Sequence, residues 1–323
     1  MTTTSGQGLA LKGEAMGLAI SLELPLIVVD LQRGGPSTGL PTKTEAADLL
    51  MAMYGRHGES PMPIVAARTP SDCFDMAIEA ARIALVHQTP VMFLSDGYLA
   101  NGSEPWRLPE VDDLPTIEVR YATEFNMVDE DGNGTFWPYL RGEDGNRPIA
   151  LPGTPDLMHR IGGIEKEDGS GNVSYDPENH EHMVHLRNDR IASIPVPDAE
   201  LEEGSGDDAD LLVVGWGSTW GAITGAARRV RVAGGRVDYV HLTHLNPLPA
   251  NLGDLLRSYQ RVLVPELNLG QLVRILRAEY LVDAQSLSKV KGQPFTAGEI
   301  QFAITEALDG LAGVTGQNQE GAA

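Results

Sequence analysis

The chain has 323 residues and a single cysteine, Cys73. One thiol cannot build a disulfide framework, a CxxC zinc site or a cysteine-ligated iron–sulfur cluster, and a reducing, cytoplasmic setting is expected. Basic residues are also scarce: 24 Lys and Arg stand against 45 Asp and Glu, a formal charge of −21. Such a field repels polyanions, and no basic patch interrupts it, so nucleic acid is not an expected partner. No apolar run approaches the ~20 residues of a membrane helix, and MTTTSGQGLALKGEAMGLA lacks the basic start of a secretory signal. Aromatics make up only 6% of the chain, but a hydrophobic fraction of 42% still allows a sizeable core. This length corresponds to about two domains.

What is present is a βα rhythm. Leu9–Leu22 reads as one helix that Pro25 ends, and 26–29 (LIVV) as a buried strand. Pro63–Ala67 and Val91–Leu94 read as further strands. Between them a helix runs to about Gln88, with Thr69 as its N-cap and Pro70 at its first position. Apolar, non-alternating strands separated by helices indicate a parallel sheet covered on both faces. From about 109 to 206 the chain turns Pro-, Gly- and acid-rich, a long excursion with a polar helix near Asn179–Ser193 and an acidic linker over 198–210. The rhythm then returns, with strands at 211–214, 236–241 and 261–264 and helices at 219–232, 251–259 and 270–281.

The stretch RGGPSTGLPT (33–42) is the most informative. It follows a buried strand, where open α/β sheets place their ligands. Its glycines let backbone N–H groups approach an anion, Arg33 supplies a planar fork for a carboxylate, and Thr42-Lys43-Thr44-Glu45 matches a capping box, which predicts a helix from near Thr44 with its positive end facing the loop. A phosphate-binding P-loop is excluded, because Leu40-Pro41 stands where Lys-Ser/Thr is required. On the residues alone the alternative is an irregular surface loop, and the ligand stays open.

Several other patterns invite chemistry but have plainer readings. GWGSTWG (215–221) resembles a dinucleotide fingerprint, yet its third glycine comes one residue late, so a tight βα turn is expected. Asp129, Asp131 and Asn133 mimic the start of a calcium loop that has Leu140 at its twelfth position, which predicts a surface turn. His180, His182 and His185 lack the i, i+4 spacing of a zinc helix and read as a polar face. His241 and His244 have no evident partner. Met16, Met51 and Met53 read as core filler.

The segments VVDLQRGGPSTGLPTKTEAADL, MTTTSGQG, HGESPMPIVAARTPSDCFDMAIEAARIALVHQTPVMFLSDGYLA and SYDPENHEHM together resemble the α subunit of 2-oxoacid:ferredoxin oxidoreductases, nearest the 2-oxoglutarate class. The resemblance implies an α/β thiamine diphosphate-binding fold: a partial pyrimidine-type parallel-sheet domain over 1–128, an irregular connecting segment over 129–206, and a transketolase C-terminal-like α/β domain over 207–323. It implies that Arg33 and Thr42 recognise the substrate, with Gly35, Ser37 and Thr38 in the loop between them. No catalytic or metal-binding residue carries over. Thiamine diphosphate would be shared with a β subunit that holds the magnesium and the iron–sulfur cluster, in agreement with the lone Cys73. Coenzyme A and ferredoxin would be the further partners. A Tyr-Pro-Ile-Thr-Pro-like motif and a pyrimidine-contacting Glu, expected upstream of Thr2-Thr3-Thr4-Ser5-Gly6, are missing, and position 7 is Gln where Pro is expected. The chain therefore looks truncated at its N-terminus, which predicts weak stability on its own and leaves an inactive paralogue or a structural subunit as the second reading.

Overall fold

The computed structural model describes residues 1–129, 131–204 and 209–320, the stretch 312–320 by its helical backbone alone. Part of the expected acidic linker, 205–208, lies outside the described residues.

The N-terminal half builds β1 (Thr2–Thr4), α1 (Gly6–Leu11), α2 (Gly13–Leu22), β2 (Leu26–Gly34), β3 (Leu40–Thr44), α3 (Leu49–Tyr54), β4 (Ile64–Ala66), α4 (Asp72–His87), β5 (Pro90–Asp96) and α5 (Gly97–Asn101). Its sheet runs β1-β2-β5-β4, all parallel. The expected single helix over 9–22 is two, interrupted at Lys12. The expected helix from near Thr44 does not form there: residues 40–44 are β3, antiparallel to the end of β2, and the helix begins only at Leu49. Pairing with the exposed end of β2 satisfies the backbone of this segment, so the capping-box pattern finds no helix to cap. Helix α4 likewise starts two residues later than expected, with Ser71 at its N-cap, although the Thr69 hydroxyl still accepts from Asp72 N at 3.2 Å.

The middle of the chain forms two small ribbons, β6 (Tyr121–Ala122) with β9 (Ile149–Ala150) and β7 (Met127–Val128) with β8 (Gly134–Thr135), before the polar helix α6 (Pro177–Ala192). Asp129 closes a surface turn, its Oδ1 accepting from Asp131 N and Asn133 N. His180 and His182 pair with Glu165 and Asp168. Among the described residues no three His, Cys, Asp or Glu side chains converge to hold a metal ion.

The last third contains β10 (Leu211–Trp216), α7 (Trp220–Val232), β11 (Val237–Leu242), β12 (His244–Asn246), α8 (Leu252–Arg257), β13 (Arg261–Glu266), α9 (Gln271–Tyr280), β14 (Ala284–Ser288) and α10 (Ala297–Glu320). Strands β11-β10-β13-β14 form a second parallel sheet. Strand β12 leaves it and adds antiparallel to β4, so the first sheet has six strands. One apolar core runs continuously between the two sheets, from Leu9, Met16 and Val28 to Val213, Leu242 and Leu272. Met51 and Met53 pack against it. His244, on β12, does have a partner: its Nε2 lies 3.0 Å from Glu79 of α4, a second tie across the same junction. Among the described residues no helix is long and apolar enough to cross a membrane.

One buried ionic cluster pins the irregular middle to the first sheet. Glu23, 6% exposed, follows α2 and receives Arg141, Arg147 and Arg190, the last two at 3.0 Å. Burial alone would raise the pKa of this carboxyl, but the three guanidiniums overcome it and hold it below the ordinary range. Arg147 also stacks 4.6 Å from the ring of Tyr139. Removing the anion leaves Arg147 and Arg190 buried without a counter-charge among the described residues, and Arg141 with Asp168 alone, so Glu23→Gln is expected to destabilise the fold by about 3–5 kcal/mol in chemical denaturation at neutral pH. Because the folded-state pKa is depressed, this stabilisation is present above the unfolded value and lost as pH falls through the folded one. The gap between wild type and variant should therefore close in acid.

Candidate functional site

Strand β2 is apolar where it enters the sheet and polar where it leaves, running from Leu26–Val29 to Asp30, Gln32 and Arg33. Its carboxyl end is where ligands of open α/β sheets sit. The segment beyond it is the tip of a hairpin, with Arg33 opposite Thr44 and Gly34 opposite Leu40. The turn is tight: a side chain on Gly39, at φ 49°, would place its Cβ 2.1 Å from the Gly34 carbonyl oxygen. Residues 35–43 are exposed.

Arg33 is half-buried, and its Nε is enclosed with no hydrogen-bond partner. It opens on a cleft of about 500 Å³ lined also by Gly35, Ser37, Asp48 and residues of α1. Three of the residues singled out in the sequence, Arg33, Gly35 and Ser37, therefore share one cavity. Thr38 and Thr42 do not line it and stand exposed on the hairpin. Only Thr44, the last residue of β3, is buried, and its hydroxyl donates to Asp96 Oδ1 at 3.1 Å. A guanidinium and a glycine turn thus border the cleft, without the helix dipole that the capping-box reading supplied.

Beneath the cleft lies a network that sequence reasoning missed. Asp96 ends β5 and caps α5, accepting from Tyr98 N and Leu99 N at 2.8 and 3.2 Å. Gln32 donates to Ser95 O and accepts from Asp48 N at 3.0 Å, tying β2 to β5 and to the start of α3. Asp30, fully buried, finds no donor among the described residues, and its neighbour is the carboxyl of Asp48. Burial raises both pKa values, and that of Asp30 is raised further by the Asp48 charge. Two carboxyls in this setting share a proton, which leaves one negative charge where two would oppose an incoming anion. An acid at the end of an apolar strand (FLSD) and one directly before an apolar helix (ADLL) were the available signals, both typical of capping positions.

The parallel sheet with its carboxyl-end cleft defines a class, an α/β domain with a ligand-sized cleft beyond the end of a central strand. Residues 1–135 match the family model of the pyruvate flavodoxin/ferredoxin oxidoreductase thiamine diphosphate-binding domain. The 2-oxoglutarate oxidoreductase subunit KorA of Mycobacterium tuberculosis is 55% identical over 96% of this chain and 46% of its own length. The 2-oxoglutarate synthase subunit KorA of Archaeoglobus fulgidus is 30% identical over 85% of this chain and 69% of its own. A solved structure, 2-oxoglutarate:ferredoxin oxidoreductase from Magnetococcus marinus with 2-oxoglutarate, coenzyme A and succinyl-CoA bound, superposes with a TM-score of 0.88 at 36% identity, covering 95% of this chain and 53% of that one. The chain belongs to the family of 2-oxoacid:ferredoxin oxidoreductase α subunits. It spans about half the length of several of the curated relatives it matches.

An acid whose folded-state pKa is raised contributes stability that is complete at low pH and lost as pH rises through that pKa. Melting temperature is therefore expected to fall as pH rises from the ordinary aspartate range towards the folded-state value of about 8, and to level off above it. Asp30→Asn, which imitates the protonated carboxyl, should flatten that decline, as a thermal-shift series over about pH 5–9 would read out. An unchanged slope would show that the two carboxyls do not share a proton.

Proposed function

We propose that this chain is the α-subunit portion of a 2-oxoglutarate:ferredoxin oxidoreductase, which converts 2-oxoglutarate, coenzyme A and oxidised ferredoxin to an acyl-CoA, carbon dioxide and reduced ferredoxin. The observation that carries this reading is Arg33, with its Nε unpartnered, at the mouth of a cleft beyond the carboxyl end of a central strand. Thiamine diphosphate, when bound, supplies the carbanion that attacks the keto carbon. The part played by this chain is to hold the substrate. The Arg33 fork pairs with a substrate carboxylate and fixes its orientation as well as its affinity, and the shared proton of Asp30 and Asp48 keeps the adjacent wall from repelling it. Gly35 and Ser37 line the same cleft; Thr38 and Thr42, exposed on the hairpin, would meet the substrate from a surface closed by the β partner.

The donor set of the chain does not fit a metal-held diphosphate or a cluster. No three ligating side chains converge among the described residues, and Cys73 is the lone thiol. In this reading the magnesium and the iron–sulfur cluster therefore reside on the β subunit, and the complex is cytoplasmic. Residues 1–128 are the pyrimidine-side unit, 129–206 the connecting excursion, and 207–323 the second α/β unit. The exposed hairpin, with Leu40 54% exposed at its turn, is consistent with a surface that a partner covers.

In a complete α/β assembly, Arg33→Ala is expected to raise KM for 2-oxoglutarate by about 10–100-fold, the worth of a charge-assisted pair, with thiamine diphosphate content unchanged. Turnover of 2-oxoglutarate that ignores the substitution would sink the assignment.

A further inference from the structure

A second cavity, of about 360 Å³, lies at the junction of the two sheets, away from the Arg33 cleft. Its floor is the GWGSTWG turn. After β10 the chain makes a single 3-10 turn, Gly217–Thr219, with Gly217 at φ 58°, and enters the 13-residue helix α7. The dinucleotide-like glycine spacing thus ends in a tight turn, as the late third glycine requires. What the spacing does not foretell is the state of the polar groups there. Ser218 is 8% exposed, and its Oγ has no hydrogen-bond partner although it lines the cavity. The indole Nε1 of Trp220 is also enclosed and unpartnered. Buried hydroxyl and indole N–H groups rarely go unsatisfied, because each forfeits its hydration. Two of them on one helical entry point to a missing acceptor.

The surroundings narrow its chemistry. The α7 N-terminus favours an anion. Arg68 stands at the same cavity, its Cζ 5.5 Å from the Trp220 ring centre, and it is held on one side by Glu202 at 2.7 Å. Phe295 and Tyr98 add aromatic walls. Glu104 lies at the rim, accepting from Ser71 N and from the Ser71 and Thr69 hydroxyls, and of a carboxylate's roughly four lone-pair sites one is left for a further hydroxyl. Donors at a helix start, aromatic walls and a carboxylate apart from the donors suit a phosphate, a base and a ribose respectively. The volume is at the small end for small-molecule sites.

We propose that this junction cavity binds a mononucleotide, its phosphate accepting from Ser218 Oγ, Trp220 Nε1 and Arg68 at the α7 entry, its base against Phe295 and Tyr98, and its ribose hydroxyls on Glu104. The site bridges the two sheets, so occupancy would brace their junction without touching the Arg33 cleft.

The test is calorimetric titration of the full chain with AMP, adenosine and inorganic phosphate, repeated on Ser218→Ala and Trp220→Phe, with melting curves to confirm that both variants fold. Saturable AMP binding is expected, with phosphate and adenosine each weaker by about tenfold or more, and with each variant weakening AMP by about five- to tenfold, the worth of one hydrogen bond. Absence of saturable AMP binding would overturn the proposal. So would phosphate binding as tightly as AMP, or affinity for AMP unchanged in both folded variants. Should Ser218→Ala fail to fold, Trp220→Phe alone, which keeps the ring and removes only the N–H, decides the matter.

Discussion

The structure depends on the clamping of β2 between two parallel neighbours. Val28 and Val29 pair with Thr2 and Thr3 on one side and with Met92 and Phe93 on the other. A strand held on both edges cannot shift by a residue without turning its buried face outward. Its polar end is therefore delivered to one place: Asp30 and Gln32 turn inward, and Arg33 reaches the mouth of the cleft. Each later feature of the site, the hairpin, the Gln32 bridge to α3 and the Asp96 cap, is anchored to that end.

Charge is managed by different means at each buried location. Glu23 balances three arginines and so fixes the irregular middle of the chain to the first sheet. Asp30 and Asp48 meet with no cation beside them among the described residues, and burial together with the neighbouring carboxyl pushes Asp30 up to about 8. Glu79 joins Arg82 to His244; the two hydrogen bonds and the neighbouring charges overcome the opposing effect of burial and draw its carboxyl down to about 2. Arg141, Arg147, Arg190 and Arg82 thus stand where a carboxylate is enclosed, while Arg120, Arg228, Arg257 and Arg277 pair at the surface. Arg33 is arranged differently: its enclosed Nε has no hydrogen-bond partner among the described residues, and the side chain borders the cleft.

The parallel α/β character was legible because buried strands such as 26–29, 91–94 and 211–214 are apolar without alternation, and because turns between them carry Gly and Pro. The polar helix α6 was legible from its composition. The helix at Thr44 was not, since the capping pattern is local whereas the competing partner, the free end of β2, lies eleven residues upstream along an exposed hairpin. Strands β1 and β12 were missed for a similar reason: three residues of TTT or HLN have no periodicity to read, and they become strands only through the edges they meet. His244 had no evident partner in the sequence because Glu79 is 165 residues away.

Taken by itself, the sequence determined the class of fold and the acidic character of the chain, and it singled out 33–42 as a candidate anion segment, since these follow from residue type and short-range spacing. Tertiary structure decided which of that segment's residues share a cavity, placing Arg33, Gly35 and Ser37 together and Thr42 outside. It also decided that two aspartates eighteen positions apart meet below them, and that Ser218 Oγ and Trp220 Nε1 are enclosed at the junction of the sheets with no hydrogen-bond partner among the described residues. Such facts arise from strand register and from contacts between distant segments, which local patterns of hydrophobicity do not encode.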